Sequence, residues 1–387
     1  MKTVLVTGSE GFIGKNLRVA LSRLDDIKVI GFDIGDHISS LTSNLKEADV
    51  IYHLAGVNRP ERIEEFQTVN TGLTQTMVSF IQEINKKPII VMTSSVQAEL
   101  DNPYGISKKK AEDILFEFSR KTSAPVYIYR LTNVFGKWCR PNYNSVVATF
   151  CYNIANGLDI NISDRNKELD LVYIDDVVTA FIRVMGGKHP SSEAPFFHVE
   201  PTFHVTLGTL ADTICSFKES RNSLMVPTFS DPFVRRLYAT YISYLPIDSF
   251  SYSLKQEIDP RGELAELLKS PHFGQMFVSR TRPGITRGNH YHDTKVEKFV
   301  VLDGESVIRF RSIRPEGRDQ RAEVGGPRSE GGDVIEYPVS GREFRVVDIP
   351  PGYTHSIENV GKKDLIVLFW ANEILDPASS DTYYEKV

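Results

Sequence analysis

Cysteine is scarce: Cys139, Cys151 and Cys215 are the three in 387 residues, and no short pairing motif links them. A disulfide-stapled secreted fold is thereby excluded, and a reduced, cytoplasmic compartment is expected. Long apolar runs are lacking too, the longest being of strand length, well short of the roughly 18 residues a membrane-spanning helix needs. The opening "MKTVLVTGSEGFIG" passes directly from a short strand into a glycine loop, unlike a secretory signal, so membrane insertion is not expected. No charge of one sign dominates. The net charge is -5, and Lys and Arg are scattered without a basic stripe, which argues against nucleic acid as a partner.

What is present is an ordinary globular composition, 41% hydrophobic and 25% charged. The length exceeds what one hydrophobic core usually supports, so two domains are expected. Up to about residue 185, strand-like runs ("TVLVT", "KVIGF", "DVIYHLA", "PIIVMTSS", "VYIYRL") alternate with helix-length amphipathic stretches. That alternation predicts βαβ units and a doubly wound parallel sheet of Rossmann type. From about residue 255 the runs become short strands between Gly, Pro and Asp turns ("QMFVSR", "EKFVVL", "ESVIRFRSI", "FRVVDI", "DLIVLFW"), which predicts an all-β barrel. The boundary is expected near residue 250, giving domains 1–250 and 251–387. The polar, Gly-rich segment 314–333 reads as a long mobile loop between two barrel strands.

Two sets of residues carry chemistry. In "VTGSEGFIG", Gly8, Gly11 and Gly14 follow a strand and open a helix, with Phe12 and Ile13 between the last two. Such a loop lets backbone approach a pyrophosphate at the positive end of the helix dipole, although a glycine triplet also marks plain tight turns. Asp33 ends the next strand, about twenty residues on. Its carboxylate can bind the hydroxyls of an adenosine ribose and would repel a 2'-phosphate, which favours NADH over NADPH. In "SSVQAELDNPYGISKKK", Tyr104 and Lys108 are spaced to share a helix face. The ammonium would lower the phenol pKa and let Tyr104 exchange a proton with a carbonyl or alkoxide, while Ser95 or Ser94 holds the same oxygen. The alternative is a surface tyrosine beside a solvated lysine-rich face.

The second set is "GNHYHDTKVEKF" with "PPGYTHSIEN". Strand periodicity places His290 and His292 on one face, and neighbouring strands of a small barrel would bring Glu297 and His355 to the same interior point. Three imidazoles and a carboxylate suit Zn foremost, or Fe, Mn or Ni. The alternative is a barrel whose histidines are structural or bind sugar without metal.

On these residues, with "HLAG" at 53–56 and "RLTNVFG" at 130–136, the first part resembles the extended short-chain dehydrogenase/reductase family, which acts mostly on nucleotide-activated sugars. The resemblance implies that Asn133 lies near the substrate diphosphate, that "VYIDDV" marks the substrate-side lobe, and that His53 is a packed residue. Related dehydratases carry an Asp-Glu pair after the serine; Val96 and Gln97 stand here, which favours hydride transfer over dehydration. The second part resembles the cupin superfamily, except that Phe344 replaces the glycine expected before Pro350. Segment 257–270 resembles the opening of deoxysugar-nucleotide 3-epimerases.

Taken whole, the chain is similar to reductase–cupin fusions of capsular polysaccharide and lipopolysaccharide synthesis. That likeness implies a bifunctional enzyme on the route to UDP-N-acetyl-L-fucosamine; separately, an exposed barrel edge leads us to expect a homodimer. The cupin would epimerise C3 of a UDP-2-acetamido-2,6-dideoxy-4-hexulose, and the reductase would then reduce C4 to give UDP-2-acetamido-2,6-dideoxy-β-L-talose. The family is associated with NADPH, whereas Asp33 argues for NADH, and the loop at 314–333 is longer than the likeness predicts. The other readings are a nucleotide-sugar 4-epimerase, or a reductase whose cupin only binds or dimerises.

Overall fold

The structure, a computed structural model, describes residues 1–187, 195–313 and 334–387. The loop expected at 314–333 lies outside the described residues. The chain folds as two compact units, Met1–Lys218 with Phe229–Ile247, and Glu219–Thr228 with Asp248–Val387.

In the first unit, strands β1 (Lys2–Thr7), β2 (Ile27–Phe32), β3 (Val50–His53), β4 (Ile89–Ser95) and β5 (Val126–Leu131) are short, rich in Val and Ile, and apolar on both faces. Such runs belong in a parallel sheet buried on both sides. With β6 (Asn133–Phe135), β7 (Glu168–Tyr173), β8 (Phe196–Phe197) and β9 (Thr202–Thr206), they form two sheets. The larger is six-stranded, in the order β2-β1-β3-β4-β5-β8, with every pairing parallel.

Successive side chains serve opposite cores, as the period of a strand requires. Val4, Val6 and Val91 join Leu17, Leu21 and Phe181, from helices α1 (Phe12–Leu21) and α6 (Ile174–Met185). Leu5, Ile51 and Ile90 instead join α2 (Ile38–Glu47), α3 (Leu73–Glu83) and α4 (Pro103–Thr122). The chain leaves β1 toward β2 on one side and returns to β3 on the other, so a crevice opens at their carboxyl ends, where the glycine loop sits. The smaller sheet, β6-β7-β9, packs with α5 (Val146–Ala155), α7 (Leu207–Ser223) and α8 (Pro232–Ile242) around Phe135, Phe150 and Leu237.

The second unit is two antiparallel sheets. One has the order β10-β11-β12-β19-β14-β17, from β10 (Gln256–Asp259), β11 (Gly262–Ser270), β12 (Gly274–Thr281), β14 (Glu297–Asp303), β17 (Val346–Ile349) and β19 (Leu365–Ala371). The other, β16-β15-β18-β13-β20, comprises β13 (Thr286–Tyr291), β15 (Glu305–Ser312), β16 (Ile335–Ser340), β18 (Tyr353–Asn359) and β20 (Tyr383–Tyr384). Alternation along β14 buries Glu297, Phe299 and Val301 on one face, so the carboxylate joins the apolar core instead of the solvent. Phe299 and Phe369 meet there edge to face with centroids 4.5 Å apart.

Backbone contact, not flexibility alone, demands glycine in the first loop. A Cβ on Gly14 would lie 2.1 Å from the Gly8 carbonyl oxygen, and one on Gly8, at φ 67°, would lie 2.8 Å from the Ala55 nitrogen. Gly14→Ala is therefore expected to destabilise the first unit by about 1–3 kcal/mol through overpacking against rigid backbone. Chemical denaturation checks this, and an unchanged midpoint would contradict it.

Candidate active site and candidate metal centre

The first helix begins on Gly11, which supplies no side-chain cap, and its first turn carries no acidic residue. Its leading N–H groups therefore have no side-chain acceptor from the cap or first turn and are available to an anion. Phe12 and Ile13 pack against the core beneath the loop. Asp33 follows β2 directly; its carboxylate accepts from the Glu10 backbone N–H at 2.6 Å and the Ile34 N–H at 2.8 Å. Those bonds orient it at the mouth of the glycine loop and leave lone pairs for hydroxyl donors.

Helix α4 presents the proton donor. Asn102 caps it, accepting from the Gly105 N–H at 2.8 Å, and Pro103 fills its first turn. Gly105 is required for close packing, since a Cβ there would sit 2.2 Å from the Gln97 carbonyl oxygen. That contact seats α4 against the turn Val96–Glu99 and brings the Ser95 hydroxyl close enough to influence the Tyr104 phenol. Burial raises the Tyr104 phenol above its ordinary range, with the Ser95 hydroxyl opposing. This differs from the expectation that Lys108 would lower it.

The reason lies in Lys108 itself, which is buried and donates to the Thr93 carbonyl oxygen at 2.7 Å. Burial lowers its pKa to about 8, with the Glu112 carboxylate opposing. Ser94 is occupied elsewhere: its hydroxyl donates to Glu112 at 2.6 Å, and Arg130 clamps the same carboxylate at 2.9 and 2.7 Å. Of the two serines only Ser95 remains for a substrate oxygen.

Asn70 escaped the sequence reading. It lies in the π-helical turn Phe66–Gly72, accepts from the Val57 N–H at 2.8 Å, and donates to Val57 O and to Ser107 Oγ, each at 3.0 Å. It thus ties the loop after β3 to α4 between Tyr104 and Lys108. An amide two residues before a glycine in "VNTG" was the available signal, and π-turns concentrate at functional sites. His53 is packed, bonded to Thr7 and Thr74 at 2.9 Å each, and held neutral by burial and by Lys108, with a pKa of about 3. Asn133 is exposed at the start of β6 and donates to the Asp170 carbonyl at 3.3 Å.

In the barrel, one donor atom from each of His290, His292, Glu297 and His355 lies within 4.8 Å of all the others. Regular alternation along β13 is interrupted: a bulge falls between Gly288 and His290, with Asn289 at φ 62°. The bulge brings His290 into register with His355 on β18, and His292 follows one residue past the strand. Glu297 Oε2 stands 3.3 Å from His292 Nε2 and 3.4 Å from His355 Nε2. Burial alone would raise the Glu297 carboxyl, but the two imidazoles hold it well below the usual range. Burial, then the neighbouring His355, lowers His290 to about 4.

Among the described residues, His292 Nε2 and both nitrogens of His355 are buried without a hydrogen-bond partner. His292 Nε2 and His355 Nε2 both face the Glu297 carboxylate, and a divalent cation held there would satisfy them, so the residues fit a metal.

Fold and site together define an extended short-chain dehydrogenase/reductase joined to a cupin. Residues 4–194 match the NAD dependent epimerase/dehydratase family, and residues 257–383 match the polysaccharide biosynthesis C-terminal domain. The chain is 43% identical to the UDP-2-acetamido-2,6-beta-L-arabino-hexul-4-ose reductase of Pseudomonas aeruginosa, over 98% of this chain and 97% of that one. It superposes on the capsular polysaccharide assembling protein CapF of Staphylococcus aureus with a TM-score of 0.90 at 44% identity, covering 99% of this chain and all of the other. A structure of CapF with the inhibitor 3-isopropenyl-tropolone matches with a TM-score of 0.85 at 40% identity, over the whole of both chains. The chain belongs to the family these proteins represent.

Because Lys108 titrates near pH 8 when folded and higher when unfolded, the unfolded chain binds more protons between those values. Stability from this residue is therefore full above the ordinary lysine range and is lost as pH falls through about 8. Lys108→Met should remove that slope in denaturation measured across this window, and an identical slope in both proteins would contradict the burial.

Proposed function

We propose that the protein converts a UDP-linked 4-keto sugar in two steps, C3 epimerisation in the cupin unit followed by C4 reduction in the dinucleotide-binding unit. The substrate is UDP-2-acetamido-2,6-dideoxy-4-hexulose and the product UDP-2-acetamido-2,6-dideoxy-β-L-talose. The reading is supported by the clustering of His290, His292, Glu297 and His355 in a chain 43% identical, nearly end to end, to a UDP-2-acetamido-2,6-beta-L-arabino-hexul-4-ose reductase.

In the first unit Gly8, Gly11 and Gly14 receive the pyrophosphate, and Asp33 receives the ribose, which supports NADH. When bound, the dinucleotide supplies the hydride that C4 takes up. Lys108, fixed by Thr93, orients the ribose beside the reacting carbon. Tyr104, steadied by Ser95, passes its phenolic proton to the C4 oxygen, so ketone, hydride and proton sum to an alcohol. Asn133, exposed at its strand end, is assigned to the substrate diphosphate. Val96 and Gln97 leave no acid–base pair for dehydration.

In the second unit His290, His292, Glu297 and His355 hold one divalent ion, zinc by ligand type. When bound, it supplies Lewis-acid polarisation of the C4 carbonyl, which acidifies the proton on C3. Loss of that proton from one face and its return on the other inverts C3 with no net change in atoms. The enzyme is proposed to work as a homodimer: Ile335 and Tyr337 are exposed on the edge strand β16.

Tyr104→Phe should abolish oxidation of the reduced cofactor, followed by absorbance, while exchange of the C3 proton with solvent continues. Loss of exchange as well would refute the division of labour. His290→Ala should stop exchange and leave cofactor affinity within about twofold, since the dinucleotide-binding residues belong to the other compact unit and share no partner with His290 among the described residues. A variant that no longer binds cofactor would instead mark the barrel as a structural support.

A further inference from the structure

The last residues of the chain return to the metal cluster. Strand β20 pairs with β13 in the register His290 to Tyr384 and Tyr291 to Tyr383. Immediately before it, the Asp381 carbonyl oxygen accepts from His292 Nδ1 at 2.5 Å. A carbonyl can only accept, so this bond places a proton on Nδ1 and leaves Nε2 as the ring atom turned toward Glu297.

The Asp381 side chain acts on the same ligand loop. One carboxylate oxygen accepts from the Asp293 N–H at 2.9 Å; the other accepts from the N–H groups of Thr294 and Lys295 at 2.8 Å each, and from Thr294 Oγ1 at 2.9 Å. These are the three residues between His292 and Val296, the neighbour of Glu297. Thr382 extends the clasp, accepting from the buried Lys295 ammonium at 2.9 Å.

We propose that Asp381 is a positioning residue of the metal centre. Through its carbonyl it selects the His292 tautomer, and through its carboxylate it sets the spacing between two ligands, His292 and Glu297, that a loop would otherwise leave loose. It lies 89 residues from the histidine it serves, so the centre is closed only once the segment around Asp381 has docked. Outer partners of this kind orient ligands and raise their basicity. The inference rests on the reading of the four-residue cluster as a metal site.

The test is zinc affinity of the full chain, stripped with a chelator and titrated in competition with a chromophoric one, alongside the absorption spectrum of the cobalt-loaded form. Asp381→Ala should weaken zinc binding about 10- to 100-fold and alter the cobalt spectrum, and Asp381→Asn, which keeps one side-chain acceptor, should recover part of the loss. Glu385→Ala is the control. It removes only an ion pair of the same tail, to Arg311 at 2.8 Å, and should bind zinc as the wild type does.

If the wild type takes up no zinc, the reading of the cluster fails. If it binds zinc and Asp381→Ala binds equally well, the role of Asp381 fails alone. Equal weakening by Glu385→Ala would overturn it also, since the tail would then act only as a structural support. Should Asp381→Ala not fold, Asp381→Asn carries the comparison, and wild-type affinity and spectrum in that variant would overturn the proposal.

Discussion

His292 Nε2 and His355 Nε2, buried and facing Glu297, have no hydrogen-bond partner among the described residues, and the second unit is arranged around that deficit. Each orphaned polar atom costs about 1–3 kcal/mol, so a core shaped by stability alone would replace these side chains with apolar ones. Instead the barrel sets Glu297 on the same strand face as Phe299 and Val301, bulges β13 at Asn289, and docks its final residues against His292. Each feature aims a donor atom at one point, and each makes sense if a cation there completes the coordination.

The first unit follows the same logic with different groups. Lys108 is buried with a single backbone carbonyl as its hydrogen-bond partner among the described residues, and Tyr104 is desolvated beside it. An ammonium so placed keeps hydrogen-bonding capacity that a ribose can take up, and a phenol above its ordinary range remains protonated until it meets an oxygen that gains charge. In both units the unsatisfied polar group marks where chemistry is expected.

How much of this was legible in the sequence depended on range. The glycine loop, the Tyr104–Lys108 pair and the spacing of His290, His292, Glu297 and His355 are local patterns, and helix or strand periodicity carries them. Asn70 was not legible, because a π-turn breaks the period that would have placed it on a face. The clamp of Arg130 on Glu112 joins β5 to α4, and Asp381 joins the segment before β20 to His292, and neither pairing leaves a local trace. The sign of the Tyr104 shift was missed for a related reason: Lys108 was judged by its charge, whereas its burial decides. Strand alternation brought His290 to the correct face only with a bulge that the sequence showed as nothing more than "GN".

The claim that two chemistries address one ketone is tested most directly by incubating the wild-type protein with the 4-keto UDP-sugar in deuterated water, without reduced cofactor, and following the sugar by NMR. The account predicts deuterium at C3 with the C4 ketone intact, and conversion to the C4 alcohol only once NADH or NADPH is added. A C3 proton that never exchanges, while added cofactor still reduces C4, would contradict it.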